Sequence, residues 1–185
     1  MTSSRVQIYL GDLVHNYQSL GPHTFPLGIG YVTAYTRKYF QGKADLEFRL
    51  FKFPEQMARA VRADKPDIVG LANYTWNENL NVQMLRRFRA DSPRSVLIMG
   101  GPNYNLYDTE RYFLERPFLD YYVVNEGETG LLNLLERFVR NELPHQTKDP
   151  LIIDNAAYYD PGQGRTMMGD ITGRIKALDI IPSPY

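Results

Sequence analysis

Five short apolar runs alternate with stretches of helical period along most of the chain, and this alternation constrains the fold more than any other feature. Val6 to Leu10 is the first run, suited to a strand. Leu27, Tyr31, Tyr35 and Tyr39 then recur every four residues and share one helix face. Leu46 to Phe51 alternates apolar and polar in the manner of an outer strand. Pro54 opens a helix at a position where its missing N–H costs nothing, with Met57 and Val61 on the inner face. Asp67 to Ala72 is almost continuously apolar, as expected of a strand buried on both sides. Leu80, Met84 and Phe88 mark a helix ending before Ser92-Pro93. Ser95 to Met99 is a strand that Gly100-Gly-Pro102 terminates. A short helix at Thr109 to Glu115, a strand at Leu119 to Val124 and a helix from Glu128 to Asn141 complete the series.

Strands and helices in this order predict an α/β fold with a doubly wound parallel sheet. Only five β/α units fit, so the expectation is a flavodoxin-like, Rossmann-like five-stranded sheet in the order 2-1-3-4-5. After Pro144 the pattern changes. Leu151 to Tyr159 and a run near Thr166 flank Asp160-Pro-Gly-Gln-Gly164, which predicts a C-terminal β-hairpin extension. Leu178 to Tyr185 holds two prolines in eight residues and reads as a linker without a packed element. The expected division is an α/β domain over 1–143, then a hairpin and linker over 144–185.

Composition closes several routes to function. The chain has no cysteine, which removes disulfides, thiolate metal sites, iron–sulfur ligation and a cysteine nucleophile. Three histidines are too few for most multi-histidine sites. Twenty-one basic and 21 acidic residues balance to zero, which argues against nucleic acid or an anionic membrane as the main partner. No apolar run reaches the length of a membrane span and the first residues lack a signal-peptide pattern, so a cytoplasmic location is expected. P-loop, HExxH and GxSxG motifs are absent. Gly28-Ile-Gly30 fails as a dinucleotide fingerprint, because Thr33 stands where the third glycine belongs and no strand directly precedes it. No catalytic residue and no metal ligand set is assigned.

In an open parallel sheet, ligands bind beyond the carboxyl ends of the strands. Four loops reach that edge: Gly11 to Pro26, Asn73 to Asn77, Gly100 to Tyr104 and Asn125 to Thr129. Gly100 and Gly101 can admit a ligand against bare backbone, or can simply make a tight turn. Trp76, the only tryptophan, offers a flat wall for a ring system or a core-packing side chain. Glu128 complements a helix dipole.

Several of these segments together resemble a known family. Pro26 to Tyr35 resembles the first helix of the cobalamin-binding domain that precedes the barrel in cobalamin-dependent radical-SAM enzymes. Asp67 to Leu71, Tyr74-Thr-Trp-Asn77, Gly100-Gly-Pro102, and Asp120 with Val123-Val-Asn-Glu-Gly-Glu128 match its successive signatures. Leu178 to Tyr185 looks like the connector into the barrel. The resemblance implies cobalamin at the carboxyl edge of the sheet. Tyr74, Thr75, Trp76 and Asn77 would border the corrin or its nucleotide tail. Gly100, Gly101, Pro102 and Asn103 would line the tail channel, with Glu126, Gly127 and Glu128 on the far side.

Asp12 and His15 in the first loop complete the candidate cofactor residues. Here Asp12-Leu-Val-His15 departs from the D-x-H-x-x-G of corrinoid methyltransferases: the histidine is one place late and no glycine follows. His15 is therefore either a cobalt ligand or a solvated loop histidine. The cluster-binding C-x-x-x-C-x-x-C is absent, so a 4Fe–4S cluster and S-adenosylmethionine are expected only in a downstream barrel, the module's expected partner. The implied function is a cobalamin-binding module for methyl transfer, not catalytic by itself. A cofactor-free interaction or regulatory domain is the alternative. An open groove between the first and third strands would favour cobalamin, and a cleft filled by Trp76 or Tyr104 would favour the alternative.

Overall fold

The structure is a computed structural model that describes residues 4–14, 25–143 and 152–185. The strands are β1 (Ser4–Gly11), β2 (Ala44–Phe51), β3 (Ile68–Ala72), β4 (Val96–Gly100), β5 (Tyr121–Val123), β6 (Ala156–Asp160) and β7 (Arg165–Met168). The helices are α1 (Leu27–Tyr39), α2 (Pro54–Asp64), α3 (Glu78–Asp91), α4 (Thr109–Leu114) and α5 (Gly127–Val139). All lie close to the segments that the apolar periods mark. No helix among the described residues is long and apolar enough to cross a membrane.

One sheet runs through the molecule in the order β2-β1-β3-β4-β5-β6-β7. Its first five strands are parallel, in the expected 2-1-3-4-5 order. The order in which strands are added to the sheet reverses between β1 and β3, which run parallel with Ile8 beside Ile68 and Gly11 beside Leu71. Side chains alternate between two cores, as the two-residue strand period demands. Tyr9, Leu71, Leu97, Met99 and Tyr122 pack with α2, α3 and α4. Ile8, Leu10, Ile68, Ile98 and Val123 pack with α1 and α5 on the other face. Each fully buried leucine of α5, such as Leu134, contributes about 1.5–3 kcal/mol through burial.

Three details correct the sequence-based picture. First, the sheet has seven strands, not five, because the hairpin β6–β7 pairs antiparallel onto the free edge of β5. The fifth strand is only three residues long, and the amide of Val124 finds its acceptor in the Asn155 carbonyl at 2.8 Å. Ala156 and Ala157 are fully buried there, small enough to lie beneath the flanking helices. The turn forms as expected: Asp160 Oδ1 accepts from the amide of Gly162 at 2.8 Å, and Gly164 takes a φ of +65°.

Second, the tyrosine stripe is not the buried face of α1. Leu27 is 41% exposed, while Ile29, Gly30, Thr33 and Thr36 are buried. Those threonines can be buried because their hydroxyls donate to the carbonyls of Ile29 (2.8 Å) and Val32 (2.7 Å). Third, the C-terminal segment is not a bare linker. It makes a single 3-10 turn at Leu178–Ile180 and lies along α1, where Tyr39 Oη (3.0 Å) and Lys38 Nζ (3.2 Å) donate to the Ile180 carbonyl. The rings of Phe25 and Tyr185 meet at 5.3 Å.

Candidate functional site

Where the strand order reverses, the sheet and the two helices on one face do not close completely. A cleft of about 240 Å³ opens at the carboxyl edge between α1 and α5. Its floor is Leu10 from β1, Gly70 to Ala72 from β3, and Ile98 and Gly100 from β4. Gly28, Ile29 and Val32 of α1 form one wall, and Gly127, Glu128 and Leu131 of α5 form the other. The space exists partly because of glycine. A Cβ on Gly70 would stand 2.8 Å from Leu10 Cδ2, and one on Gly127 would stand 2.9 Å from Val32 Cγ2. The lining is otherwise aliphatic, so the cleft suits a flat, largely apolar group steered by few polar contacts.

Those polar contacts come from Tyr74, Asn125 and Glu128. Tyr74 is half-buried; burial, with the nearby Asp12 carboxylate, raises its hydroxyl pKa, so it stays a neutral donor. Burial, with Glu126 as a lesser cause, also raises the pKa of Glu128 above its ordinary value. The Asn125 amide is already engaged, donating to the Thr172 carbonyl at 3.0 Å.

Of the candidate residues from the sequence, Tyr74, Gly100, Gly101, Pro102, Gly127 and Glu128 line the cleft. Asp12 does not line it, but lies half-buried at the end of β1 and acts electrostatically on Tyr74. Thr75 is exposed on the rim. Trp76 is neither a core side chain nor a cleft wall. It is 68% exposed and stacks on the outer face of the rim, its ring 4.4 Å from that of Tyr74 and nearly parallel at 6°. Asn77 is buried and structural: its Oδ1 accepts from the Tyr74 amide at 2.8 Å, and its Nδ2 donates to the carbonyls of Ala72 and Leu13. It holds the loop that presents Tyr74. Asn103 turns toward α3, donating to Glu78 Oε2 at 2.8 Å beside a separate, more polar depression. Glu126 precedes α5, its carbonyl accepting from Gly130, and stays outside the cleft lining. His15 lies outside the described residues.

Gly101 lines the cleft and also makes a tight turn. Its φ is +132°, and a Cβ there would stand 2.5 Å from the Asn73 carbonyl oxygen. Tyr104 is also turned away from the cleft, stacked on Tyr122 at 4.3 Å in the opposite core. The residues that sequence reasoning missed are mostly aliphatic, among them Leu10, Ile29, Val32, Ala72, Ile98 and Val123. Each reads locally as ordinary core, and only the geometry between elements leaves it facing a space. Gly28 and Gly70 carried the one available signal, glycine inside a helix and inside a strand.

Comparison with known proteins gives a consistent picture. The family described as B12 binding domain matches residues 17–135. A 2-(S-pantetheinyl)-carbapenam-3-carboxylate methyltransferase from Streptantibioticus cattleyicolor is 26% identical over 112 residues, which are 60% of this chain and 16% of that protein. Among solved structures, the cobalamin-dependent S-adenosylmethionine radical enzyme OxsB, with aqua-cobalamin and S-adenosylmethionine bound, superposes with a TM-score of 0.68 at 19% identity. That match covers 97% of this chain and 24% of OxsB. A cobalamin-binding protein from Desulfitobacterium hafniense matches at a TM-score of 0.51 and 15% identity, over 72% of this chain and 59% of that one. At these identities the structural likeness is one of fold. The chain spans a small part of the methyltransferase and of OxsB.

Proposed function

Because the chain belongs to the B12 binding domain family, we propose that its cleft receives the nucleotide tail of cobalamin while the corrin rests on the rim outside. The observation that carries this reading is the open apolar cleft at the point where the strand order reverses. A domain that had lost its cofactor would be expected to fill that space. Here the two large rings best placed to do so, Trp76 and Tyr104, point outward and into the opposite core. Size supports a division of the ligand. Pockets for whole drug-sized ligands run roughly 300–1,000 Å³, so about 240 Å³ suits a ring with its sugar rather than a corrin.

The residues fit that group. Aliphatic walls from Ile29, Val32 and Leu131 remove a flat base from water, and the backbone at Gly70 and Gly100 permits close approach. Tyr74, backed by Trp76 and tethered through Asn77, stands at the mouth as a hydrogen-bond donor toward the corrin side. Bound cobalamin supplies a cobalt centre able to carry a methyl group, and the chain's part is to hold and orient it. The setting we infer is a larger radical-SAM protein, a methyltransferase or an enzyme of related chemistry. This chain has no cysteine, so a 4Fe–4S cluster and the S-adenosylmethionine it binds would be held by another domain, the barrel that partners this module.

The test is titration of the chain with hydroxocobalamin, followed by calorimetry and by quenching of Trp76, the only tryptophan. Saturable binding is expected. Gly28→Leu places a side chain in the mouth of the cleft, where a Cβ meets only Tyr74 Oη at 3.6 Å. This variant should fold about as stably, since Gly28 lies exposed in the first turn of α1, and should bind at least about tenfold more weakly. Absence of saturable binding, or unchanged affinity in Gly28→Leu, would overturn the reading.

A further inference from the structure

The loop that leads from β5 into α5 is held by residues that do not touch the cleft. Val123 and Asn125 line the cleft, and Val124 between them is buried in the opposite core. Both backbone groups of Val124 end on one residue, Asn155, directly before β6. The Asn155 carbonyl accepts from the Val124 amide at 2.8 Å, and Asn155 Nδ2 donates to the Val124 carbonyl at 3.3 Å. Asn155 is fully buried with a φ of +60°, and a Cβ on Gly130 of α5 would stand 3.0 Å from its carbonyl oxygen. Its Oδ1 accepts from the Thr172 hydroxyl at 2.8 Å and from the Thr172 amide at 3.3 Å. The Thr172 carbonyl in turn accepts from Asn125 Nδ2 at 3.0 Å, back at the cleft. These bonds close a ring, Val124 to Asn155 to Thr172 to Asn125, around the entry to α5. The same segment then reaches the other wall, where Tyr39 and Lys38 of α1 donate to the Ile180 carbonyl. Asn155 and Thr172 both lie beyond residues 17–135, the part of the chain that matches the B12 binding domain.

Taking the cleft as the cofactor's site, we propose that Asn155 and Thr172 are positioning residues for it. Neither lines the cleft, and together they hold Asn125, at a φ of +64°, and the start of α5 in the form that the cofactor meets. The segment after β7 is thus part of the binding unit and not only a cover for the sheet edge. The physical distinction is sharp. A bond that merely stabilises the fold counts equally in the free and loaded chain and leaves affinity unchanged. A bond that keeps the loop in its binding form raises affinity by the fraction of chains held in that form.

Calorimetric titration of the full chain with hydroxocobalamin, in wild type and in variants at Thr172, tests this. Thr172 is exposed and belongs to neither core, so its variants leave the packing of the sheet intact. Thr172→Val keeps the branched shape without the hydroxyl, and affinity should fall about threefold to tenfold, the scale of one neutral hydrogen bond. Thr172→Ser keeps the hydroxyl and should bind within about twofold of wild type. Thr172→Pro removes the amide and hydroxyl donors together and should bind at least about tenfold more weakly. Coupling is reciprocal, so saturating hydroxocobalamin should slow amide hydrogen exchange across residues 170–173 of the wild-type chain. Three results would each overturn the positioning role while wild-type binding upholds the cofactor reading: unchanged affinity in Thr172→Pro, a loss in Thr172→Val that Thr172→Ser shares, or exchange at 170–173 that ignores the cofactor. A wild-type chain that binds no hydroxocobalamin would overturn both.

Discussion

At Gly101 the backbone has no alternative to glycine. Two conditions coincide there: a φ of +132°, and a neighbouring Asn73 oxygen 2.5 Å from where a Cβ would be. Gly101→Ala should lower stability by about 2 kcal/mol or more in chemical denaturation. It should also move Asn73, whose side chain reaches the Asn103 carbonyl and the Tyr122 hydroxyl. Glu128 makes a second prediction through pH. Burial holds its folded pKa above the ordinary 4.5, so the folded state retains this proton more tightly than the unfolded chain. The contribution of this group is most favourable below about pH 4.5 and is lost as pH rises through the elevated folded value. Glu128→Gln removes the titration. Its melting temperature relative to wild type should therefore rise between pH 4.5 and 7, and a constant offset across that interval would contradict the argument. The sequence showed both residues as candidates. It could not show that Gly101 must be glycine, because that depends on where Asn73, far away in sequence, places its carbonyl.

At the scale of elements, α1 has two working faces. One lines the cleft through Gly28, Ile29 and Val32, and another carries the C-terminal segment across Gly30, Lys38 and Tyr39. Gly30 is the notch between them: a Cβ there would stand 2.6 Å from Phe25 Cε1 and 3.0 Å from Pro184 Cβ. Gly30→Leu should therefore push the segment off the helix. Cleavage by trypsin after Lys176 should become severalfold faster while far-UV circular dichroism stays that of the native sheet and helices. The four-residue period located this helix correctly but suggested a tyrosine face. Burial went instead to glycine and to threonines whose hydroxyls satisfy themselves on the preceding turn. Periodicity ranks side chains by polarity, and a threonine bonded to its own helix escapes that ranking.

For the whole molecule, the decisive feature is that one sheet carries everything. The hairpin is the sixth and seventh strand of it, and Ala156, Ala157, Tyr158 and Met167 belong to the same two cores as the β/α units. The full chain should unfold in a single transition, with far-UV and near-UV signals coincident. A version ending at residue 143 should self-associate, since it would expose the edge of β5 and the core beneath it. This can be read from light scattering against the full chain. A division at 143/144 therefore remains a proposal about ancestry or linkage, and the packing ties both parts together.

By itself, the sequence determined the order and type of the elements and the parallel pairing scheme, and it pointed to the carboxyl edge as the place to look for a ligand. Each of these follows from local periods and from connection rules that any βα series obeys. Its motifs also pointed to the family. Only the tertiary structure decided that the edge holds an open cleft, that Trp76 stands outside it, and that the hairpin closes the sheet. A cleft is a place where packing is withheld. Whether Leu10, Val32 and Ile98 touch one another or face a gap depends on the distances between β1, β4 and α1, and no run of neighbouring residues encodes those distances.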